Sequence, residues 1–258
     1  MYLFIKFVGF LPLYGEKRRI VQKMGYRFGV KSLKHVSVAI DGPVGAGKST
    51  IAKAAAQRIG FVYCDTGALY RAIGLYCRRD GADLSNGADI SKRLPKISLD
   101  IKMTDGVQRI LLNGEDVSEE IRLPEISMAA SAVSAVPEVR AALLDIQRSM
   151  ARSNSVIMDG RDIGTVVLPT ADVKIFLTAK PEIRAKRRYD ELVKKGVDTS
   201  FEDVLADLNK RDYNDSHRTA APLKQAEDAV LADTSKLDFE QSVDLICGII
   251  ENTIKNHR

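Results

Sequence analysis

A glycine-rich segment near residue 45 carries the residue types that bind phosphate groups in proteins. It matches the pattern GxxxxGK(S/T) and comprises Gly42, Pro43, Val44, Gly45, Ala46, Gly47, Lys48, Ser49 and Thr50. Glycines allow the backbone to curl until successive N–H groups point at one phosphate, and the helix that follows adds partial positive charge. We expect Lys48 to reach the outer phosphates and the Ser49 hydroxyl to ligate Mg²⁺. The motif predicts nucleoside triphosphate binding and leaves the reaction open.

Three further segments each contain arginine together with aspartate. They are segments 65–71, 159–165 and 211–218, and their arginines are Arg71, Arg161, Arg211 and Arg218. The first two segments follow predicted strands, and the carboxyl ends of parallel strands meet at one ligand crevice. Arginine forks bind phosphate, and carboxylates accept hydrogen bonds from ribose hydroxyls or from a base amine. With the phosphate loop, these segments predict a nucleotide as the phosphoryl acceptor.

Two aspartates lie at strand ends beside the phosphate loop. Asp41 directly precedes the loop, and Asp159 follows the apolar run 155–158. Asp159 has the position of the acid that holds Mg²⁺ through water in many phosphate-loop enzymes. Each of the two carboxylates could equally cap a turn, and the sequence leaves both roles open.

The segment 209–212, Asn-Lys-Arg-Asp, matches the NKxD pattern with which small GTPases read guanine. In that family the motif ends a buried strand. Here the apolar residues before it, at positions 201, 204, 205 and 208, have helical spacing. We therefore interpret the segment as the charged end of a helix and not as a guanine site.

The elements that must position these groups alternate between strands and helices. We expect strands at 36–40, 61–64, 155–158, 173–177 and 229–231, and helices at 48–59, 68–79, 124–152 with a second start at Pro137, 181–195, 201–211 and 239–254. This alternation predicts an α/β fold with a mainly parallel sheet and helices on both faces. A hairpin formed by 97–103 and 109–112 interrupts the alternation, so we assign it to an inserted subdomain.

The basic charge of the chain is concentrated at its start. Of 258 residues with a net charge of +5, residues 1–35 hold eight Lys/Arg and one Glu, whereas the other 223 carry a net charge of −2. The basic, aromatic segment 1–35 is interpreted as a disordered extension or as a mis-assigned start, with Met24 as an internal start. Aromatic residues beside basic ones also suit a membrane interface or nucleic acid.

Cysteine content and hydropathy limit the class of protein. The three cysteines, Cys64, Cys77 and Cys247, are far apart and have no metal-binding spacing. No apolar run reaches the roughly 18 residues that would span a bilayer. We expect a cytoplasmic monomer that acts on small-molecule nucleotides and needs neither nucleic acid nor a membrane.

The segments described above, taken together, resemble bacterial cytidylate kinases (CMP/dCMP kinases). The resemblance rests on IDGPVGAGKST, CDTGALYRA, NGEDVSEEIR, AASAVSAVPEVR, MDGRDIGTVVLP and KRDYNDSHRTAAPL, which are spread over nearly the whole of 36–258. It implies a nucleoside monophosphate kinase domain at 36–258 with a five-stranded parallel core. The hairpin region 80–123 resembles the insert that enlarges the monophosphate site, and 180–218 resembles the lid and its flank.

The resemblance also implies roles for individual residues. Those implied to bind the phosphate of CMP are Arg71, Arg161 and Arg218, with Asp65, Thr66 and Tyr70 nearby. Those implied to read cytosine are Ser131, Arg140 and Asp162, and those implied to contact ribose are Arg211 and Asp215. The lid arginines implied to close on the transferring phosphoryl group, together with Lys48, are Arg184, Arg187 and Arg188. Some members have Asp-Ser where this chain has Asp65-Thr66, and Thr keeps the hydroxyl.

The activity implied by the resemblance is transfer of a phosphoryl group from ATP, with Mg²⁺, to CMP and dCMP. A kinase of another small acceptor, such as UMP or shikimate, is the alternative on a similar scaffold. Such a kinase needs a carboxylate near the acceptor hydroxyl, and Asp41 or Asp65 could serve. A nucleotide-dependent module that uses segment 1–35 on nucleic acid or a membrane is a third possibility, of the binding class.

Removing the N-terminal extension distinguishes the enzyme from the binding module. A chain that begins at Val36 should fold and keep full CMP kinase activity, because the extension's charge and aromatic residues have no place in the inferred site. Thermal unfolding and coupled ADP release check this expectation. Loss of solubility or of activity would show that the extension packs on the domain or completes it.

Overall fold

The computed structural model describes residues 35–104 and 107–256, so the extension apart from His35 lies outside the described residues. The strands are β1 Ser37–Asp41, β2 Val62–Asp65, β3 Leu99–Thr104, β4 Val107–Leu112, β5 Glu115–Asp116, β6 Val156–Gly160, β7 Val173–Thr178 and β8 Val230–Asp233. The helices are α1 Lys48–Ile59, α2 Thr66–Arg79, α3 Gly87–Ser91, α4 Pro124–Ser134, α5 Pro137–Ser153, α6 Pro181–Lys194, α7 Phe201–His217 and α8 Phe239–Asn256.

The central sheet has five parallel strands, as the sequence predicts, and their order is β2-β6-β1-β7-β8. Its register decides which side chains meet at the carboxyl edge. Asp65 on β2 is paired with Asp159 on β6, and Asp41 on β1 is paired with Gly160 on β6. The ends of three adjacent strands therefore deliver three aspartates to one crevice.

Two apolar cores hold this arrangement together. One packs α1 and α8 on the central sheet and includes the buried residues Ile40, Ile157 and Ile246. The other joins α2, α4 and α5 to the inserted region and includes Leu69 and Leu99. Because α2 belongs to the second core and is capped by Asp65, packing of the insert fixes the helix that begins at the crevice.

The inserted region forms a sheet of its own. β3 and β4 pair antiparallel, as the hairpin pattern predicts, and β5 extends them to three strands. The short helix α3, the 3₁₀ turns Leu94–Lys96 and Glu120–Arg122 and the π turn Ile163–Val167 are additions that periodicity does not predict. Elements of three to five residues are too short to show a helical period.

Helix α7 is longer than its apolar pattern predicts. The expected end at residue 211 is wrong, because the helix continues to His217 and Arg218 follows it with extended backbone. The NKxD-like segment 209–212 therefore lies inside a helix, which confirms that it is not a guanine site. Of the expected face formed by Arg211, Asp215 and Arg218, only the first two are helical.

Helices α4 and α5 meet at the break that Pro137 predicts. No single helix among the described residues is both long and apolar enough to cross a membrane. Helices α4 and α5 reach the required length and composition only when they are counted together, across a bend of 96°.

The phosphate loop depends on glycine where β1 leaves the sheet. Gly42 has a φ of 152°, and a Cβ atom there would lie 1.9 Å from the Leu177 carbonyl oxygen of the neighbouring β7. That oxygen belongs to the sheet backbone and has no room to move aside. The loop can pass this close to β7 only because residue 42 has no side chain.

Alanine substitutions at two glycines test this constraint. Gly42→Ala should lower the free energy of unfolding by more than about 3 kcal/mol, because the added Cβ would clash with the Leu177 carbonyl oxygen and alanine disfavours the backbone conformation. The matched control is Gly248→Ala in α8, where an added Cβ meets nothing within 4 Å. That change should stabilise the protein by about 0.5–1 kcal/mol. Urea unfolding measures the free energy of unfolding of both variants. Equal changes in Gly42→Ala and Gly248→Ala would contradict the steric requirement for glycine at residue 42.

Candidate active site

Lys48 lies buried at the centre of the phosphate loop, in the first turn of α1. Its Nζ donates a hydrogen bond to the Pro43 carbonyl oxygen at 2.6 Å, inside the same loop. Burial, reinforced by the nearby Arg161, lowers the pKa of Lys48 to about 7, against the opposing effect of Asp159. A bound polyphosphate would restore the ordinary preference for the charged form, so the lysine is prepared for an anionic ligand.

Ser49, Asp159 and Tyr63 form a cluster of oxygen atoms beside the loop. The Ser49 hydroxyl donates to Asp159 Oδ2 at 2.7 Å, and the Tyr63 hydroxyl donates to Asp159 Oδ1 at 3.0 Å. Burial, with the like charge of Asp65, raises the pKa of Asp159 to about 6. A hydroxyl next to a desolvated carboxylate is a donor set that suits Mg²⁺, and a cation there would offset the cost of burying the carboxylate.

Asp41 has a structural task. Its two carboxylate oxygens accept the backbone N–H groups of Ile163 at 2.8 Å and Gly164 at 2.7 Å. Burial raises the pKa of Asp41 to about 6 even though both hydrogen bonds oppose this shift. Of the two roles left open by the sequence, the structure supports the turn-capping one, and Asp41 thereby fixes the segment that carries Arg161 and Asp162.

Asp65 organises one wall of the crevice. Its Oδ1 accepts the Ala68 N–H at 3.0 Å and so caps α2, while its Oδ2 accepts Arg71 Nη1 at 3.3 Å and Arg122 Nη1 at 2.8 Å. Burial alone would raise the pKa of Asp65, but the two arginines outweigh it and the pKa is lowered. The carboxylate therefore stays charged and holds both guanidinium groups at the start of α2.

The same wall is joined to the insert by Gln108 on β4. Its side-chain amide accepts the Asp65 N–H at 2.9 Å and donates to the Asp65 carbonyl oxygen at 3.2 Å. The neighbouring Thr66 donates its hydroxyl to the Asp159 carbonyl oxygen at 2.7 Å. These contacts tie β2, β4 and β6 together where the acceptor phosphate is expected.

Arg161 connects the end of β6 to α7. Its Nε donates to Asp215 Oδ2 at 2.8 Å, and both side chains are mostly buried. Arg211 pairs with Asp207 at 2.8 Å, one turn earlier on α7, while its Nε is buried without a partner among the described residues. The ribose contact of Arg211 stays a prediction.

Asp162 is the centre of a second buried cluster, at the junction of α4 and α5. Its carboxylate pairs with Arg140 and accepts Arg218 Nη2 at 3.4 Å. The Tyr70 ring lies 5.6 Å from the Arg140 guanidinium. Burial and the adjacent Arg140 lower the pKa of Arg218. Two arginines thus share one carboxylate, which leaves the cluster short of negative charge.

Ser134 links the predicted base-reading residues to Arg218. Its hydroxyl accepts Arg218 Nη1 at 3.2 Å and donates to the Ser131 carbonyl oxygen at 2.9 Å. Its own carbonyl oxygen accepts Arg140 Nη1 at 3.2 Å. Ser131, Arg140, Asp162 and Arg218, predicted from three segments of the sequence, are therefore joined in one network.

The three predicted lid arginines have different surroundings. Arg184 is buried and donates to the Val44 carbonyl oxygen of the phosphate loop at 2.8 Å. Arg187 donates to the Thr234 carbonyl oxygen, beyond β8, at 2.8 Å, and Arg188 pairs with Glu191 on its own helix. Among the three, Arg184 is the one that contacts the phosphate loop, a ranking that the sequence could not supply.

Several residues of the crevice were not singled out from the sequence. They are Tyr63, Gln108, Arg122, Ser134 and Asp212. Arg122 lies in the segment NGEDVSEEIR and Asp212 in the NKxD-like segment, so motifs contained them without assigning a role. Ser134 likewise lies in the segment AASAVSAVPEVR, whereas nothing in the local sequence distinguishes Tyr63 or Gln108 from ordinary strand residues.

A phosphate loop at the carboxyl edge of a parallel sheet, facing a crevice rich in arginine, defines a phosphate-loop phosphotransferase with a site for an anionic acceptor. The family model described as cytidylate kinase matches residues 38–252. The chain belongs to the cytidylate kinase family.

Curated relatives show how far the similarity extends. The chain is 46% identical over 224 residues to a cytidylate kinase of Caldicellulosiruptor bescii, an alignment that covers 87% of this chain and 99% of the relative. It is 47% identical over 222 residues to that of Leuconostoc mesenteroides, with 86% and 99% covered. For Clostridium tetani the identity is 48% over 219 residues, with 85% and 95% covered.

The raised pKa of Asp159 predicts a pH-dependent effect of Asp159→Asn on stability. A carboxyl whose pKa rises on folding, here from 3.8 to about 6, contributes stability below pH ~4 that is lost as pH rises through about 6. The asparagine side chain of the variant does not titrate, so it makes no pH-dependent contribution to stability. The variant should therefore gain stability relative to the wild type by about 1–2 kcal/mol between pH 5 and pH 7.5.

Urea unfolding of both proteins without nucleotide or Mg²⁺ measures this difference. Asp41, whose pKa is also raised, is present in both proteins and so cancels from the comparison. A difference in stability that stays constant or shrinks between the two pH values would contradict the assigned burial of the Asp159 charge.

Proposed function

We propose that the protein transfers the γ-phosphoryl group of ATP to CMP and dCMP, giving ADP and CDP or dCDP. The observation that carries the proposal is that the site has two separate groups of paired arginines and aspartates in addition to the phosphate loop. Arg71 and Arg161 lie at one end, and Asp162 with Arg140 lies at the other, with Arg218 bound to Asp162. A phosphate and a base could be bound at once, and membership of the cytidylate kinase family supports this acceptor.

The reaction needs little proton chemistry. The acceptor is a phosphate oxygen already ionised at pH 7, so no strong general base is required. Catalysis then consists of holding two polyanions in line and stabilising the charge that spreads over the transferring group. Lys48 and Arg184 lie at the phosphate loop for this purpose, while Arg71, Arg161 and Arg218 would hold the acceptor phosphate.

Magnesium fits the oxygen cluster of the loop. Ser49 would ligate the ion directly and Asp159 through water, while Tyr63 holds the other carboxylate oxygen of Asp159. When bound, the ion supplies neutralisation of the ATP phosphates during transfer.

Base selection would depend on Asp162. Cytosine presents an exocyclic amine that an ionised carboxylate can accept from, whereas uracil presents a carbonyl oxygen there. With uracil the hydrogen bond to the base is lost and two acceptor oxygens face each other, which costs on the order of 1–3 kcal/mol, about 10- to 100-fold in specificity. Asp162 is buried and ionically paired, so it cannot turn away to avoid uracil. AMP and GMP would be too large for a pyrimidine site.

The alternative acceptor shikimate is not favoured by the geometry. It requires a carboxylate free to receive a hydroxyl proton. Asp41 is engaged by two backbone N–H groups, and Asp65 by the N–H of Ala68 and two arginines. The proposal further holds that the enzyme acts as a monomer.

Acceptor choice tests the proposal. Coupled ADP release should be fast with CMP and dCMP, about 10- to 100-fold poorer in kcat/KM with UMP, and negligible with AMP, GMP and shikimate. Asp162→Asn should narrow the gap between CMP and UMP because an amide can donate to the uracil carbonyl. It should also lower total activity because Asp162 holds Arg140 and Arg218.

The matched control is Asp145→Asn, an exposed aspartate on α5, which should behave as the wild type. Equal use of CMP and UMP by the wild type would refute the proposed acceptor. An unchanged CMP/UMP ratio in Asp162→Asn would refute the assigned base-reading residue and leave the reaction class intact.

A further inference from the structure

Asp212, in the middle of α7, contacts the tip of the phosphate loop. Its Oδ1 accepts the Val44 N–H at 3.2 Å, and its Oδ2 accepts Arg184 Nη1 at 2.6 Å. No motif role explains these contacts, because the NKxD-like segment that contains Asp212 is not a guanine site. The side chain reaches from α7 to a loop 168 positions earlier in the chain.

Arg184 completes a closed set of contacts around the backbone of one residue, Val44. The same Nη1 that bonds to Asp212 also donates to the Val44 carbonyl oxygen at 2.8 Å, and Nε donates to the Ala179 carbonyl oxygen at 2.8 Å. The N–H of Val44 is thus held by Asp212 and its carbonyl by Arg184. Since Arg184 is buried, its charge depends on this carboxylate for neutralisation.

Apolar packing holds α7 at the same place. Val44 packs on the cluster formed by Ala185, Val204 and Leu208, and Leu208 lies one turn before Asp212. Leu208 Cδ1 would be 3.1 Å from a Cβ atom at Gly45. Helices α6 and α7 therefore touch the loop through two kinds of contact, and only the polar one can direct a guanidinium group.

We propose that Asp212 is a positioning residue that fixes the tip of the phosphate loop and aims Arg184 at the outer phosphate of the bound nucleotide. The inference rests on the proposed function, because it gives Arg184 a role in phosphoryl transfer. Asp212 acts through Val44 and Arg184 and touches neither substrate. Without its carboxylate, Arg184 keeps its charge but loses the partner that sets its direction.

Asp212→Asn removes this charge with almost no change in volume. One amide oxygen can still accept from Val44 or from Arg184, but the amide nitrogen then faces a donor. Because misplacement by about 1 Å can cost roughly 100-fold, we expect kcat to fall about 10- to 100-fold while KM for CMP changes less than about 3-fold. The matched control Glu202→Gln loses the same charge on the exposed first turn of α7 and should leave kcat unchanged.

A double-mutant cycle separates positioning from a general structural role. If Asp212 acts through Arg184, then Asp212→Asn combined with Arg184→Lys should be no slower than the slower single variant. Thermal unfolding confirms that all variants are folded. A kcat within about 2-fold of the wild type for Asp212→Asn, or effects that multiply in the double variant, would overturn the proposal.

A binding measurement keeps this test independent of the acceptor. Calorimetric titration with ATP and with ADP, without CMP, measures how strongly each protein favours the additional phosphate. Asp212→Asn should reduce this preference several-fold, and Glu202→Gln should keep it. If the wild type fails to phosphorylate CMP, the proposed function fails while this comparison still decides the role of Asp212. An unchanged preference in Asp212→Asn would overturn that role.

Discussion

Pairing of buried charge at the carboxyl edge of the central sheet is the constraint on which the crevice depends. Arginines that must meet two polyanions cannot stand unpaired in a partly desolvated site. Each therefore has a carboxylate partner: Arg71 has Asp65, Arg161 has Asp215, and Arg140 shares Asp162 with Arg218. The paired residues come from β2, α2, the segment after β6, α5, α7 and the segment after α7, so pairing the charges also assembles the elements.

The same constraint explains the opposite pKa shifts within the site. Where a carboxylate has two arginines, as Asp65 has, the pKa is lowered despite burial. Where burial is not matched by nearby positive charge, as at Asp159, the pKa rises to about 6. Burial, together with the nearby Arg161, lowers the pKa of Lys48 to about 7. A cation beside Asp159 and phosphates beside Lys48 would offset the cost of burying these two charges. Ligand binding would therefore stabilise the charged forms of both side chains.

Part of the fold and part of the candidate site could be predicted from the sequence. The phosphate loop, helix α1 and the order of strands and helices follow from local patterns, because glycine spacing and apolar period are properties of short segments. The partner of Asp41 could not be predicted, since the π turn that supplies the N–H groups of Ile163 and Gly164 has no sequence pattern. The roles of Gln108 and Asp212 could not be predicted for a related reason. Each residue contacts a partner that is distant in sequence, and only the packing of the insert or of α7 brings the two together.

The central claim is that this charge network binds the phosphate of the acceptor as well as its base. Calorimetric titration of the wild-type protein with CMP and with cytidine measures the contribution of the phosphate directly. The account predicts that removing the phosphate weakens binding at least about 100-fold, because several charge-assisted hydrogen bonds of roughly 1.5–3 kcal/mol each are lost. Cytidine affinity within a few-fold of CMP affinity would contradict it.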